Sequence, residues 1–416
     1  MTAPRTSPTP DAPASRRRAP GARREPTPIA GIARGLLPIP TAPYLEHGVL
    51  AYIRRFAEER GLGFRLDRFG NGYVRHAGRR RRGAAARPLV LSAHTDHPGF
   101  VVTAVRGRRI ELEFRGGLSA AYGRGERLRL FASPAREDGT GGGPAALGLA
   151  VIDEVAADER GRIRSARATA ADAPPRPGDL ALWDVEPARV RGRRLVARGC
   201  DDLAGCAAVL SALDRAAAAG APGELIGLFT RAEEVGLLGA SAAARARLLP
   251  EDAVVIAVET SSASGGRARS GGGPIVRVGD AMHLFSPAVA LWMSGVAQEL
   301  AREDGEFRYQ RKLMDGGVTE ATAYDLYGYE TGALCVALAN YHNAGPGDRV
   351  AAESVDLRDL DAMARLMARL LGELARLPRA RRSLLARYDR LVRGAGPRLR
   401  SRQVRAGPGG KGSATG

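Results

Sequence analysis

Lysine is almost missing from this 416-residue chain: Lys312 and Lys411 are the only two, so nearly every cation is an arginine. Cysteine is scarce too. Cys200, Cys206 and Cys335 form no CxxC pair and point to no disulfide framework; Cys200 and Cys206 read as small buried packing residues. Aromatic residues make up 5% of the chain, and the 44% apolar content, carried mainly by Ala, Val and Leu, is enough for a globular body. No run approaches ~18 uninterrupted apolar residues, so a membrane-spanning helix is not expected. The N-terminus also lacks the apolar stretch and small-residue cleavage site of a secretory signal, and no such stretch follows Arg16-Arg17-Arg18. A cytoplasmic location is the default expectation.

The net charge of +18 suggests a polyanionic partner until its distribution is read. Residues 1–36 carry seven Arg against two acids, and residues 379–416 carry ten Arg and one Lys against one acid, so the tails hold +15 and the body is close to neutral. That bias fits coding composition better than a selected phosphate-binding surface. Neither nucleic acid nor a membrane is expected as a partner.

Residues 1–36 mix Pro, Ala, Ser and Arg without periodicity and read as a disordered basic arm. The expected architecture beyond it is α/β: a doubly wound mixed sheet with helices on both faces, interrupted by a small β-rich domain. Its first part spans 37–105, with a helix over 44–59 and a buried strand at 88–93. From 106 to 196 the pattern turns to short alternating segments parted by Gly, Pro and Asp, the mark of an inserted all-β unit, and 139–144 reads as a mobile loop. The α/β pattern resumes over 197–378, with helices expected at 202–219, 237–249, 288–302 and 355–377. The basic tail at 379–416 is expected to be largely disordered.

Polar islands interrupt this pattern, most of them where an apolar run stops. His94 and Asp96 follow the strand at 88–93; Asp201 and Asp202 open the helix at 202; Glu233 and Glu234 follow the apolar run 225–229; Glu259 ends the run 253–258; His342 follows 333–338. Ligand and catalytic groups gather at the C-terminal edges of strands in open α/β sheets. Imidazoles and carboxylates at such an edge, one carboxylate bridging two ions, are what a two-metal hydrolase requires. His94, Asp201, Glu234, Glu259 and His342 are the candidate ligands. Glu233 and Glu234, adjacent on a turn, point in different directions, so one can bind metal while the other stays free as a base, and Asp96 is placed to orient an imidazole.

In order, His94-x-Asp96, Asp201-Asp202-x-x-Gly205-Cys206, Glu233-Glu234-Val235-Gly236, Val258-Glu259 and Tyr341-His342 resemble the motifs of dinuclear-metal exopeptidases. Within that clan the chain most resembles the cytosolic glutamyl and deblocking aminopeptidases that assemble into tetrahedral particles, over about residues 38–375. The resemblance implies that His94, Asp201 and Glu259 hold one metal and Asp201, Glu234 and His342 the other. It further implies that Glu233 is the general base and that Asp96 supports His94. Two divalent ions, zinc or alternatively cobalt, a peptide substrate and a homo-oligomer are implied with it. The departures are His97 where relatives carry Glu, Glu259 where this branch has Asp, and Glu320 in place of the Asp of a Gly-Gly-Thr-Asp-Ala segment. Glu320 is a candidate for meeting the substrate α-amine. The alternatives are a related deacylase or carboxypeptidase, and a metal-free homologue acting as a scaffold. A compact barrel-like insertion favours the aminopeptidase; an α/β dimerisation lid favours the deacylase.

Overall fold

Ile29, Ile32, Ala33 and Leu36 recur at the i, i+3, i+4, i+7 spacing of a helix with one apolar face, and they form it: α1 (Ile29–Leu36), with all four side chains buried. This corrects the expectation of an irregular arm up to residue 36. The signal is a single stripe next to a Pro- and Arg-rich stretch, and only tertiary burial makes it decisive. The computed structural model describes residues 25–78, 87–133, 144–264 and 268–400. The first 24 residues of the arm, most of the 139–144 loop and the tail from 401 lie outside them.

After α1 come α2 (His47–Glu59), β1 (Gly63–Leu66), β2 (Gly72–Ala77) and β3 (Leu89–His94). The next six strands are β4 (Gly99–Arg106), β5 (Arg109–Arg115), β6 (Arg127–Phe131), β7 (Ala146–Ala157), β8 (Ile163–Ala170) and β9 (Leu180–Trp183). They close into a barrel in the order β4-β5-β8-β7-β6-β9. Its interior is filled by alternate residues of each strand, with Phe100, Phe114 and Trp183 at the centre. The Phe100 and Trp183 rings meet edge to face with centroids 5.1 Å apart, the arrangement their quadrupoles prefer. The barrel therefore begins at Gly99 rather than near 106, because the apolar start of β4 belongs to the barrel core.

The chain returns through β10 (Ala188–Arg191), β11 (Arg194–Ala197), α3 (Leu203–Ala219), β12 (Glu224–Thr230), α4 (Leu238–Arg245) and β13 (Val254–Ser262). Then follow β14 (Ile275–Arg277), α5 (Pro287–Glu303), β15 (Gln310–Lys312), α6 (Glu320–Leu326), β16 (Glu330–Leu338), β17 (Glu353–Asp356), α7 (Leu357–Glu373) and α8 (Ala380–Arg400). The last helix, like α1, stands where disorder was expected.

The main sheet has eight strands in the order β1-β2-β12-β3-β13-β16-β14-β15, and its centre (β12, β3, β13, β16) is parallel. Successive residues of these strands enter opposite cores. Leu89, Leu91 and Ala93 of β3 join the large cluster under α1, α2, α3, α5 and α7, while Val90 joins the cluster under α4 and α6. Burial on both faces is why these strands read as continuous apolar runs. β11 pairs with both β10 and β17, tying the exit from the barrel to the start of α7.

Leu36 is fully buried where α1 meets this core. Leu36→Ala is expected to lower unfolding stability by about 2–5 kcal/mol, read from urea midpoints. A loss near zero would show that α1 does not pack in solution.

Candidate metal centre

The parallel register brings the site together. Thr230 of β12 pairs with His94, and Ala257 of β13 pairs with Ser92, so Glu259 lies level with His94 and opposite Cys335 of β16. The turn after β12 delivers Glu233 and Glu234, the segment after β16 delivers His342, and Asp201 arrives from the loop ahead of α3. Asp202 caps that helix, its Oδ1 accepting from the Gly205 amide at 3.1 Å.

All five expected ligands converge. His94 Nε2 lies 3.6 Å from Asp201 Oδ1 and 3.8 Å from Glu259 Oε2; His342 Nε2 lies 3.6 Å from Asp201 Oδ2 and 3.2 Å from Glu234 Oε2. The two Asp201 oxygens thus face different partners, one toward His94 and the other toward His342. Ligand atoms sharing a tetrahedral ion at ~2.0–2.1 Å stand roughly 3.3 Å apart, close to these separations. Among the described residues, His94–Asp201–Glu259 and Asp201–Glu234–His342 both bring one ligand atom per residue within 4.8 Å of each other. His94, Glu233 and Glu234 do so as well, through Glu233 Oε2 at 4.0 Å from His94 Nε2.

The chemistry of this donor set calls for cations. Glu234 Oε1 and Glu259 Oε1 are buried and accept no hydrogen bond from the described residues, which is costly for a carboxylate oxygen. Burial, then the charge of Asp201, pushes Glu259 up to about 8. Burial also holds Glu233 well above the usual carboxylate range; His94 opposes it, while Glu259, Glu234 and Asp96 add to it. Burial works against a charged His342, but Glu234 and Asp201 outweigh it and raise the imidazole to about 9. So much buried negative charge either takes up protons or takes up metal. Two imidazoles among carboxylates suit zinc and neighbouring divalent ions, and these residues could hold them.

The backbone here is held in left-handed conformations that non-glycine residues seldom adopt: φ is 54° at Ala232, 54° at His342 and 63° at Asn343. Buried side chains fix it. The Asp96 carboxylate accepts from the Glu233 and Glu234 amides, each at 3.0 Å. Its backbone oxygen lies nearer to His94 Nδ1 (3.1 Å) than its carboxylate does (3.6 Å). Asp96 was expected to orient His94 alone; its larger task is to hold the Glu233–Glu234 turn.

Other contributors were missed. Glu46 accepts from the Ala232 amide at 3.0 Å and pairs with Arg231 at 2.7 Å. Glu353 accepts from the Cys200 and Asp201 amides at 2.7 and 2.9 Å and from the His342 amide at 2.8 Å, so one carboxylate ties two ligand loops together. His97 lies between Asp201 O (2.7 Å) and Asn343 Oδ1 (3.0 Å). Glu46 and Glu353 carried no sequence signal, because a lone Glu on an amphipathic stretch looks like any solvated one.

Glu320 is a correction. It is buried, with its carboxylate accepting from Ser92 Oγ at 2.6 Å and from Thr230 Oγ1. It clamps β3 to β12 beneath the site, 1% exposed and away from the cleft lining, so it does not meet a substrate amine. The cleft above the ligands, about 250 Å³, is lined by His94, Glu233, Ser261, Arg277, Gly317 and His342 among others.

A family model described as M42 glutamyl aminopeptidase matches residues 70–366. A curated relative from Acetivibrio thermocellus, which carries an aminopeptidase name, is 27% identical over 172 residues; the match spans 40% of this chain and 49% of the relative, about half its length. An aminopeptidase of the archaeon Desulfurococcus kamchatkensis superposes with a TM-score of 0.67 at 20% identity, covering 83% of this chain and 94% of that one. The Pyrococcus horikoshii TET1 peptidase, described as assembling into a tetrahedron or a large octahedral shell, gives 0.66 at 20% identity over 83% and 99%. At these identities the likeness is one of fold.

Asp96→Ala removes the acceptor of two amides and loosens the turn that carries Glu233 and Glu234. It is expected to weaken metal affinity by roughly 10–100-fold, measured by competition with a chromogenic chelator. Unchanged affinity would remove Asp96 from this role.

Proposed function

The chain belongs to the M42 glutamyl aminopeptidase family, and on that premise we propose that it is a metal-dependent aminopeptidase that removes N-terminal residues from peptides. The observation that carries the reading is Asp201, whose two oxygens face His94–Glu259 on one side and His342–Glu234 on the other, with Glu233 beside them. His94, Asp201 and Glu259 would hold one ion and Asp201, Glu234 and His342 the other, with zinc the first candidate and cobalt the second. Bound there, divalent ions supply Lewis-acid polarisation of a carbonyl and an acidified water.

The chain's own groups then have distinct tasks. Glu233 lines the cleft and takes the attacking water's proton on a carboxylate oxygen, then passes it to the departing amine. Asp96, Glu46 and Glu353 keep the ligand-bearing turns in place through the backbone. The closed barrel, where a deacylase would carry an α/β lid, supports the aminopeptidase over the alternative.

Arg277 is buried in the cleft wall, giving Nη1 to Ser261 Oγ and Nη2 to the Met314 carbonyl, both at 3.0 Å. No carboxylate lies within ion-pair distance of it among the described residues. A cation beside the metal centre, with serines and glycines around it, favours an acidic side chain on the N-terminal residue. By the same comparison we propose a homo-oligomer, since the Pyrococcus protein can assemble into a tetrahedron or a large octahedral shell. No described helix is long and apolar enough to cross a membrane, and a cytoplasmic site of action is the reading adopted.

Glu233→Gln should keep about two metals per chain, counted by elemental analysis, and lose roughly 10²–10⁴-fold in kcat on free-amine p-nitroanilides. Turnover confined to N-acetylated substrates would instead select the deacylase. Arg277→Met should lower kcat/KM for a glutamyl p-nitroanilide by about 10–100-fold, the worth of one charged hydrogen bond, and leave the leucyl substrate nearly unchanged. Equal losses on both would sink the acidic preference.

A further inference from the structure

Helix α8 lies beyond residue 366, where the family match ends. It leaves the body after the turn at 374–379, with Ala380 packed against the core, and residues 385–394 are all exposed. Its sequence is amphipathic. At ~100° per residue, Leu385, Tyr388, Leu391 and Val392 fall within an arc of roughly 120°, while Arg382, Arg387, Arg390 and Arg393 occupy the rest. Each of those four apolar side chains is more than half exposed. Over Ala380–Arg400 the helix carries seven Arg against one Asp, in a chain whose body is close to neutral.

We propose that α8 is a surface-binding helix that seats the chain on bilayers containing anionic lipid. Charge and shape together select this occupant. A second copy would bring another strongly cationic helix against the first, and the stretch 1–24, with six Arg and one Asp, is cationic as well. A nucleic acid would neutralise the arginines and leave the leucine stripe in water. A bilayer with anionic headgroups takes both: the stripe enters the acyl boundary while the arginines meet phosphates and carboxylates. The expectation of no membrane partner rested on the missing apolar span, which a peripheral helix does not need.

The test is co-sedimentation of the full, metal-loaded protein with vesicles of phosphatidylcholine alone or with about 30 mol% phosphatidylserine. The anionic vesicles should retain at least about tenfold more protein, and raising salt from ~0.1 to ~0.5 M should release most of it. Leu385→Ser with Leu391→Ser, and separately Arg387→Gln with Arg390→Gln and Arg393→Gln, should both lower the partition about tenfold or more. Both should leave circular dichroism and p-nitroanilide turnover in solution unchanged. Equal retention on the two vesicle types would overturn the proposal. So would binding to an RNA or DNA oligonucleotide with no vesicle binding, or a change in oligomeric mass as the only effect of the leucine changes.

Discussion

Asp201 is the constraint around which the α/β body is arranged. A carboxylate that is 3% exposed and shared by two imidazoles can exist only where its partners arrive from independent directions. The parallel strands provide those directions: β3 brings His94, β13 brings Glu259, and the segments after β12 and β16 bring Glu234 and His342. Helix α3 begins just after Asp201 and fixes its height against the sheet through the Asp202 cap. Charge then decides the rest. Buried carboxylates close together repel, and divalent ions are the compensation that leaves them ionised.

Such an edge is expensive to hold in place. Ala232, His342 and Asn343 sit in strained backbone conformations, each costing of order 1–3 kcal/mol. The strain persists because the backbone amides beside it are captured by buried acceptors: Glu46 takes Ala232, Asp96 takes Glu233 and Glu234, and Glu353 takes His342. Through these amides three carboxylates set the backbone at Ala232, Glu233, Glu234 and His342. Glu320, under the strands, does the same for β3 and β12 through Ser92 and Thr230. The cleft lies above this layer, where the walls include serine, glycine and Arg277.

Outside the α/β body, the same physics gives different products. The barrel closes its own edges and keeps its own aromatic core, so it is an independent packing unit carried between β3 and α3. The helix at the other end, α8, packs at its start through Ala380, and beyond it the apolar stripe of Leu385, Tyr388, Leu391 and Val392 stays exposed.

Much was legible in the sequence because metal chemistry and strand burial leave local marks. Apolar runs of five or six residues followed by polar islands place both the strand and the groups at its edge, and Asp201 opens a helix, so the α/β class, the inserted β unit and the candidates His94, Asp201, Glu233, Glu234, Glu259 and His342 could be named without coordinates. What tertiary structure decided was of another kind. Glu46 and Glu353 hold the site through backbone amides distant in sequence, and a carboxylate that accepts from an amide 186 or 152 residues away has no local signature. Glu320 lay within a motif that suggested substrate contact, and only the packing of β3 against β12 shows its oxygens already occupied. Helix α1 and the point where the barrel begins were set by burial against partners remote along the chain, which composition and periodicity do not report.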